Sequence, residues 1–239
     1  MKLLPYLLCF LGCWLLSSCF DVREEIWVAA DGSGRAEMTY TVPATSLKLI
    51  GGESELRNQI HKLIDSEPEL QLDELTITTS EGEAAITLKA STPSMLSLIE
   101  MQDNEVIRNL PKAASSFAGE FDVEWEGLAI DFDRRIDLQR ALGFAALAVS
   151  SDQRRKRSLQ YIIHLPNRAA VHNATRTEDE GRTLIWEFSL GDALASPLEI
   201  DFLVHIPIPW WVYLILTLIA VLIIAILVKA RRRSAFRQS

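Results

Sequence analysis

The run Trp210 to Val228 (WWVYLILTLIAVLIIAILV) constrains this chain more than any other stretch. It holds a phenol at Tyr213 and a hydroxyl at Thr217, and it carries no charge. At 1.5 Å per helical residue, about 20 such residues span the roughly 30 Å hydrocarbon core of a bilayer. A backbone in lipid must satisfy its amides within its own segment, so the expectation is a transmembrane helix over 209–229. Trp210, Trp211 and Tyr213 form an interfacial aromatic belt at one end, and Lys229, Arg231, Arg232 and Arg233 close the other. The basic tail, 230–239, is then expected in the cytoplasm and the preceding residues outside.

The opening residues, MKLLPYLLCFLGCWLLSSC, have one lysine, a short apolar run and small residues before a cysteine. That is the pattern of a secretory signal over 1–18 rather than a second span. Leu16-Ser17-Ser18-Cys19 resembles a bacterial lipobox. Small residues fit the peptidase site, and the Cys19 thiol is expected to become the thioether of a diacylglycerol bearing palmitate-type chains. Cys13 and Cys9 match less well. With the signal removed Cys19 is the one cysteine left, so no intramolecular disulfide can form and the exported body must be stabilised by its core.

That body, 19–208, is long enough for one domain with a sizeable core. All 32 acidic residues lie between Asp21 and Asp201, against 18 of the 24 basic ones, leaving this part near −14. Such a surface repels polyanions, so nucleic acid is not an expected partner. Membrane lipids are.

Alternation of apolar and polar residues predicts a mainly antiparallel α+β fold of about eight strands with two or three packed helices. Val22 to Ala30 and Ala36 to Val42 flank the turn Asp31-Gly32-Ser33-Gly34. Glu53 to Asp65 has a helical face of Leu56, Ile60, Leu63 and Ile64. A loop at Ser80 to Glu83 pairs Ile77 with Ile86 and Leu75 with Leu88. A second helix is expected from Thr92-Pro93-Ser94 through Leu110. In a third hairpin a two-residue turn at Glu126-Gly127 would pair Trp125 with Leu128 and Val123 with Ile130, although Glu126 is a mediocre first turn residue. Ile136 to Val149 reads as an apolar helix. Strands follow at Leu159 to Leu165, Thr183 to Leu190 and Leu198 to Ile206. The first strand begins near one anchor and the last ends near the other, so the two are expected to run antiparallel with the body flush on the bilayer.

Few residues suggest chemistry. The acidic face of the third hairpin, with Glu120, Asp122, Asp131 and Asp133, could attract Ca²⁺, but no Ca²⁺-loop spacing is present and a solvated face near Arg134 and Arg135 is the simpler account. Arg154 to Arg157 is a basic run that either meets phosphate or pairs with acidic neighbours. His61, His164, His172 and His205 lack metal-ligand spacing. No nucleophile elbow, P-loop or dinucleotide fingerprint occurs. Accordingly no catalytic, cofactor or metal residues are assigned, and Cys19 is the single site residue, for lipidation.

Two further stretches carry a resemblance. Val28-Ala29-Ala30-Asp31-Gly32-Ser33-Gly34 follows soon after the lipobox cysteine. Later, Tyr161-Ile162-Ile163-His164-Leu165-Pro166-Asn167 leads through Val171-His172-Asn173-Ala174 to Arg182-Thr183-Leu184-Ile185-Trp186-Glu187-Phe188. This layout is similar to the LppM-like bacterial lipoprotein domain family. The family pattern often has glycine after the proline and after the asparagine, where this chain has Asn167 and Ala174. The resemblance implies an antiparallel sheet with helices, a lipid- or glycolipid-binding role, and no catalytic residues. The expected protein is thus a non-enzymatic envelope lipoprotein of a bacterial cytoplasmic membrane, lipid-anchored and single-pass. The alternative is a scaffold contacting another membrane protein.

Overall fold

The computed structural model describes residues 20–49, 51–95, 119–142, 149–206 and 210–235. The chain divides into two units, Met1–His205 and Ile206–Ser239. The signal segment, Cys19 and the expected helix beyond Met95 lie outside the described residues.

In the first unit, β1 (Asp21–Val28), β2 (Gly34–Pro43), β3 (Gln71–Ser80) and β4 (Glu83–Thr92) join β7 (Ser158–His164), β9 (Arg176–Glu178) and β10 (Thr183–Ser189) in a seven-stranded sheet ordered β3-β4-β2-β1-β7-β10-β9. β5 (Glu120–Glu126), β6 (Ala129–Ile136), β8 (Ala169–His172) and β11 (Leu198–His205) make a four-stranded sheet ordered β5-β6-β11-β8. The helices are α1 (Ala44–Leu49), α2 (Gly52–Asp65), α3 (Leu138–Leu142), α4 (Ser151–Lys156) and α5 (Leu190–Ala195). In place of the expected single set of about eight strands, the described residues form eleven strands in two sheets. β8 and β9 escape a periodicity reading because AAVH and RTE are short and largely exposed.

The two sheets face one another across a shared core. From the larger sheet Val22, Leu159, Tyr161, Ile163, Leu184 and Trp186 point inward; from the smaller come Ile136, Ile200, Phe202 and Val204. Trp186 is 1% exposed, and its ring lies 6.3 Å from that of Phe202. Full burial of such side chains contributes about 1.5–3 kcal/mol each. A second cluster, Leu47, Ile77 and Ala84 with Leu56, Leu75 and Ile86, seats α1 and α2 on the outer strands of the larger sheet.

Hairpin registers show which turn chemistry governs. Ile77 pairs with Ile86 and Leu75 with Leu88, as expected, around Glu81 (φ 53) and Gly82 (φ 86). In the β5–β6 hairpin Val123 pairs with Phe132 and Trp125 with Ile130, two residues away from the expected register. Gly127 has φ 65 and is the first of two turn residues, Gly127 and Leu128. A two-residue turn with positive φ at its first position demands glycine there, so Glu126 moves into the ladder. The slip is even, so every side chain keeps its face.

Other boundaries move for equally local reasons. The Ile136 end of the expected long apolar helix completes β6, and Leu138–Leu142 forms α3, while 143–148 lie outside the described residues. Leu190 begins α5 rather than ending β10, because Ser189 caps that helix in a reciprocal capping box with Asp192.

The expected relation of the first and last strands is not what is observed. β1 pairs parallel with β7, and β11 belongs to the other sheet. Val22 lies opposite Leu159 at the start of β7, and Ser158 opposite Ser189 at the end of β10. From there α5 carries the chain to Leu198, where β11 starts. His205 is at the far end, where the Asn167 side-chain amide, just past β7, donates to the His205 carbonyl at 3.0 Å. β1 and β11 therefore run in the same sense, and the chain begins β1 at one end of the unit and leaves β11 at the other. Eight strand residues separate these ends by about 25 Å. The picture of both strand ends meeting one flush surface fails.

The second unit contains α6 (Trp210–Ala235). Leu214, Leu216, Leu218 and Ile224 on it are exposed. Yet among the described residues no helix is long and apolar enough to cross a membrane. The helix runs on through Lys229, Arg231, Arg232 and Arg233 to Ala235. The C-terminal transmembrane helix expected from the sequence, and the single-pass topology with it, is corrected accordingly.

Candidate functional site

Two consecutive glutamates on β1 organise the polar groups of the first unit. Alternation sends Glu24 inward and Glu25 outward. Glu24 is 3% exposed and meets Arg134 of β6 at 2.5 Å, so the pair bridges the two sheets. Tyr40 donates to Glu24 at 2.8 Å, and the Arg134 guanidinium lies over the rings of Phe121 and Tyr161. Burial pushes both the Tyr40 and Tyr161 hydroxyls up, and the Glu24 carboxylate pushes them further. For Arg134 burial works the other way, but Glu24 outweighs it and holds the guanidinium above its ordinary range. A charge so placed carries a large desolvation cost unless paired. This cluster joins the sheets.

Glu25, on the outer face, lies 2.9 Å from His164 Nε2 and 2.6 Å from Arg23. His164 Nδ1 is 3.0 Å from the Thr183 hydroxyl, which itself donates to Asp179 at 2.7 Å. The Glu25 carboxylate accepts from Nε2. Trp27 stacks on the His164 ring at 5.1 Å, with Arg35 above it at 4.3 Å. Burial pushes the Glu25 carboxyl up, but the hydrogen bonds from His164 and Arg23 outweigh it and bring it below its ordinary range.

Along the same face, toward the start of β1, lies a cavity of ≈ 450 Å³ bounded by Asp21, Arg23, Thr39, Thr41, Gln160 and Glu187, with Val22 and Leu159 at its floor. Arg23 bonds Gln160, whose amide donates to Glu187 at 3.0 Å. At the rim Arg157 reaches Asp21 at 2.5 Å and Glu83 at 3.2 Å. Strand pairing places these groups: Arg23 opposes Thr39 on β2 and Gln160 on β7, and Gln160 opposes Glu187 on β10. Hydroxyl, amide and ion-pair groups line the groove beside apolar surface. Asp21 stands two positions after Cys19, and Phe20 between them is 6% exposed in the core.

The residues singled out in the sequence fare unevenly. Cys19 lies outside the described residues. Three residues of the basic run lie in α4 and are used locally: Lys156 meets Asp152 at 2.9 Å, and Arg154 and Arg155 donate to the carbonyls of Val149 and Ser151, while Arg157, just past the helix, pairs with Asp21 and Glu83. Of the histidines, His61, His172 and His205 are exposed, and only His164 enters a network. On the outer face of the smaller sheet Asp122, Asp133 and Asp201 are lateral neighbours on three strands. Burial raises the Asp133 carboxyl, and Asp201 and Glu199 raise it further. Even so, among the described residues no group of three carboxylates or histidines is placed to hold a metal ion. Asn173 and Trp186, from the late sequence motif, meet each other: the indole donates to Asn173 Oδ1 at 2.6 Å, which also accepts from the Asp201 amide at 3.0 Å. Their role is to tie β10 to β11. The Glu24–Arg134 pair and the His164 network join residues 110 and 139 positions apart, beyond the reach of any local spacing rule.

No family model matches this chain, and no curated protein does. The NMR structure of the folded domain of the LppM protein from Mycobacterium tuberculosis is similar to it at 15% identity and a TM-score of 0.45, over 80% of this chain and 91% of that one. That likeness is distant and assigns the chain to no family.

Proposed function

We propose that the protein is a non-enzymatic lipoprotein of the bacterial cell envelope, anchored through acylated Cys19, whose groove at the start of β1 takes the headgroup of a lipid or glycolipid. The supporting observation is adjacency in sequence: the groove begins at Asp21, two positions after Cys19, and Phe20 between them is buried. An acyl chain on Cys19 would hold that opening at headgroup depth. Its lining is mixed: the polar groups of Arg23, Thr39, Thr41, Gln160 and Glu187 stand beside apolar surface, a combination that suits the hydroxyls and ring faces of a sugar. The net charge near −14 over the exported part disfavours a polyanionic headgroup. Thr39, Thr41, Gln160 and Glu187 suit a neutral glycan. A transmembrane helix forms no part of this reading.

Calorimetry of the full-length protein in detergent, titrated with a soluble glycosylglycerol, tests it. Arg23→Ala combined with Gln160→Ala should weaken binding by about tenfold or more, since each charged or amide hydrogen bond contributes roughly 0.5–3 kcal/mol. Absence of binding, or equal binding by the variant, would count against the groove. Mass spectrometry of the mature amino terminus, with Cys19→Ala as control, tests the anchor separately.

A further inference from the structure

The far end of the first unit carries a surface that the lipid reading does not use. β5 is an edge strand of the smaller sheet, paired to β6 alone. From Asp122 to Glu126 its second edge makes no hydrogen bond among the described residues. In a two-residue hairpin the flanking pair, here Glu126 and Ala129, exchanges hydrogen bonds, so alternation turns the N–H and C=O of Val123 and Trp125 outward. Trp125 is 56% exposed and Leu128 at the tip 59%, and Trp125 has no ring partner among the described residues.

The other edges are protected in ways that β5 is not. β8 has four residues and β9 three, and the Arg176–Glu178 ion pair covers β9. β3 is interrupted by an irregularity between Leu72 and Glu74. Short strands, charges and bulges are the usual means of keeping an edge from pairing. β5 is seven residues long and pairs with β6 without a shift.

We propose that β5 is a docking edge for an extended, basic segment of a partner protein, which adds as a fifth strand. Charge and face select that occupant. An added strand would set one row of side chains beside Val123 and Trp125, and the other beside Asp122 and Glu124, with Asp131 and Asp133 one strand further in. The first row wants apolar groups and the second wants Lys or Arg. The partner segment therefore alternates apolar and basic residues with period two. A lipid surface would accept Trp125 but gain nothing from unpaired backbone groups, and the acidic row would be repelled by anionic headgroups. A second copy of β5 would bring carboxylates against carboxylates.

Hydrogen–deuterium exchange on the full-length protein in detergent tests this with two synthetic peptides of equal composition. In one, valine and lysine alternate; in the other they are segregated into blocks. The alternating peptide should slow exchange of the β5 amides by about tenfold or more and leave the larger sheet unchanged, and the block peptide should not. Val123→Pro removes the outward donor and should abolish the protection. Should that variant fail to fold, Asp122→Lys with Glu124→Lys reverses the charged row at exposed positions, and should abolish it with an unchanged thermal midpoint. Equal protection by both peptides would overturn the proposal, as would protection absent from β5. Protection that rises with protein concentration alone would assign the edge to self-association, and protection by phosphatidylcholine vesicles would assign it to a membrane; either result overturns the proposal as well.

Discussion

Glu24 and Glu25 are chain neighbours with the same side chain, and the sheet separates them into opposite regimes. Glu24 faces the other sheet, where Arg134, Tyr40 and Tyr161 replace water entirely. Glu25 faces outward, where His164 and Arg23 share it with solvent. One residue of phase decides whether a carboxylate holds two sheets together or decorates a surface. Strength and specificity therefore depend on the face, and sequence proximity says little about either.

The largest effect that would break this contrast comes from Arg134. Arg134→Met leaves Glu24 buried without a countercharge and should cost about 3–5 kcal/mol in urea unfolding. Adding Glu24→Leu should recover most of that, since an apolar pair of similar volume carries no desolvation penalty. A double variant as unstable as the single one would mean that Arg134 acts through packing on Phe121 and Tyr161 instead. Next comes His164→Ala, expected to cost about 1 kcal/mol or less because the pair is partly solvated. Its pH signature is more telling. The folded Glu25 carboxyl titrates below its ordinary 4.5. Its stabilisation is thus complete above about pH 4.5 and is lost as pH falls through the folded value. His164→Ala should flatten the acid limb of stability against pH in that window, and an unchanged limb would remove Glu25 from the network. Smallest is Arg23→Ala, about 0.5 kcal/mol or less at neutral pH, read as a midpoint shift.

How much of this was legible beforehand follows from the range of each signal. Alternation marked the strands β6, β10 and β11, because burial on one side leaves a period-two trace. The β3–β4 register was legible since its four-residue turn has one good solution. The β5–β6 register was not, because Gly127 could stand first or second in the turn and the sequence alone does not say which. Two sheets in place of one could not be read, since their separation rests on which strands share hydrogen bonds across long stretches of chain. Trp186 and Asn173 were visible as a motif, yet their bond appears only once β8, β10 and β11 are brought together. Most of the candidate groove was equally hidden: Arg23, Gln160 and Glu187 come from three strands that meet only in the folded sheet. An apolar run of 19 residues was the loudest signal in the chain. It told of a helix, which is there, and of a crossing, which is not upheld among the described residues.

The opposed ends of β1 and β11 have a mechanical consequence. Tension applied at Asp21 and His205 runs along the strands, so it loads their hydrogen bonds in shear. β1 is gripped by β2 and β7, and β11 by β6 and β8, on both sides. To slide either strand out, many bonds must rupture together, whereas a hairpin pulled from its open end unzips one bond at a time. A body pulled between its first and last strands is thus held along its strongest axis.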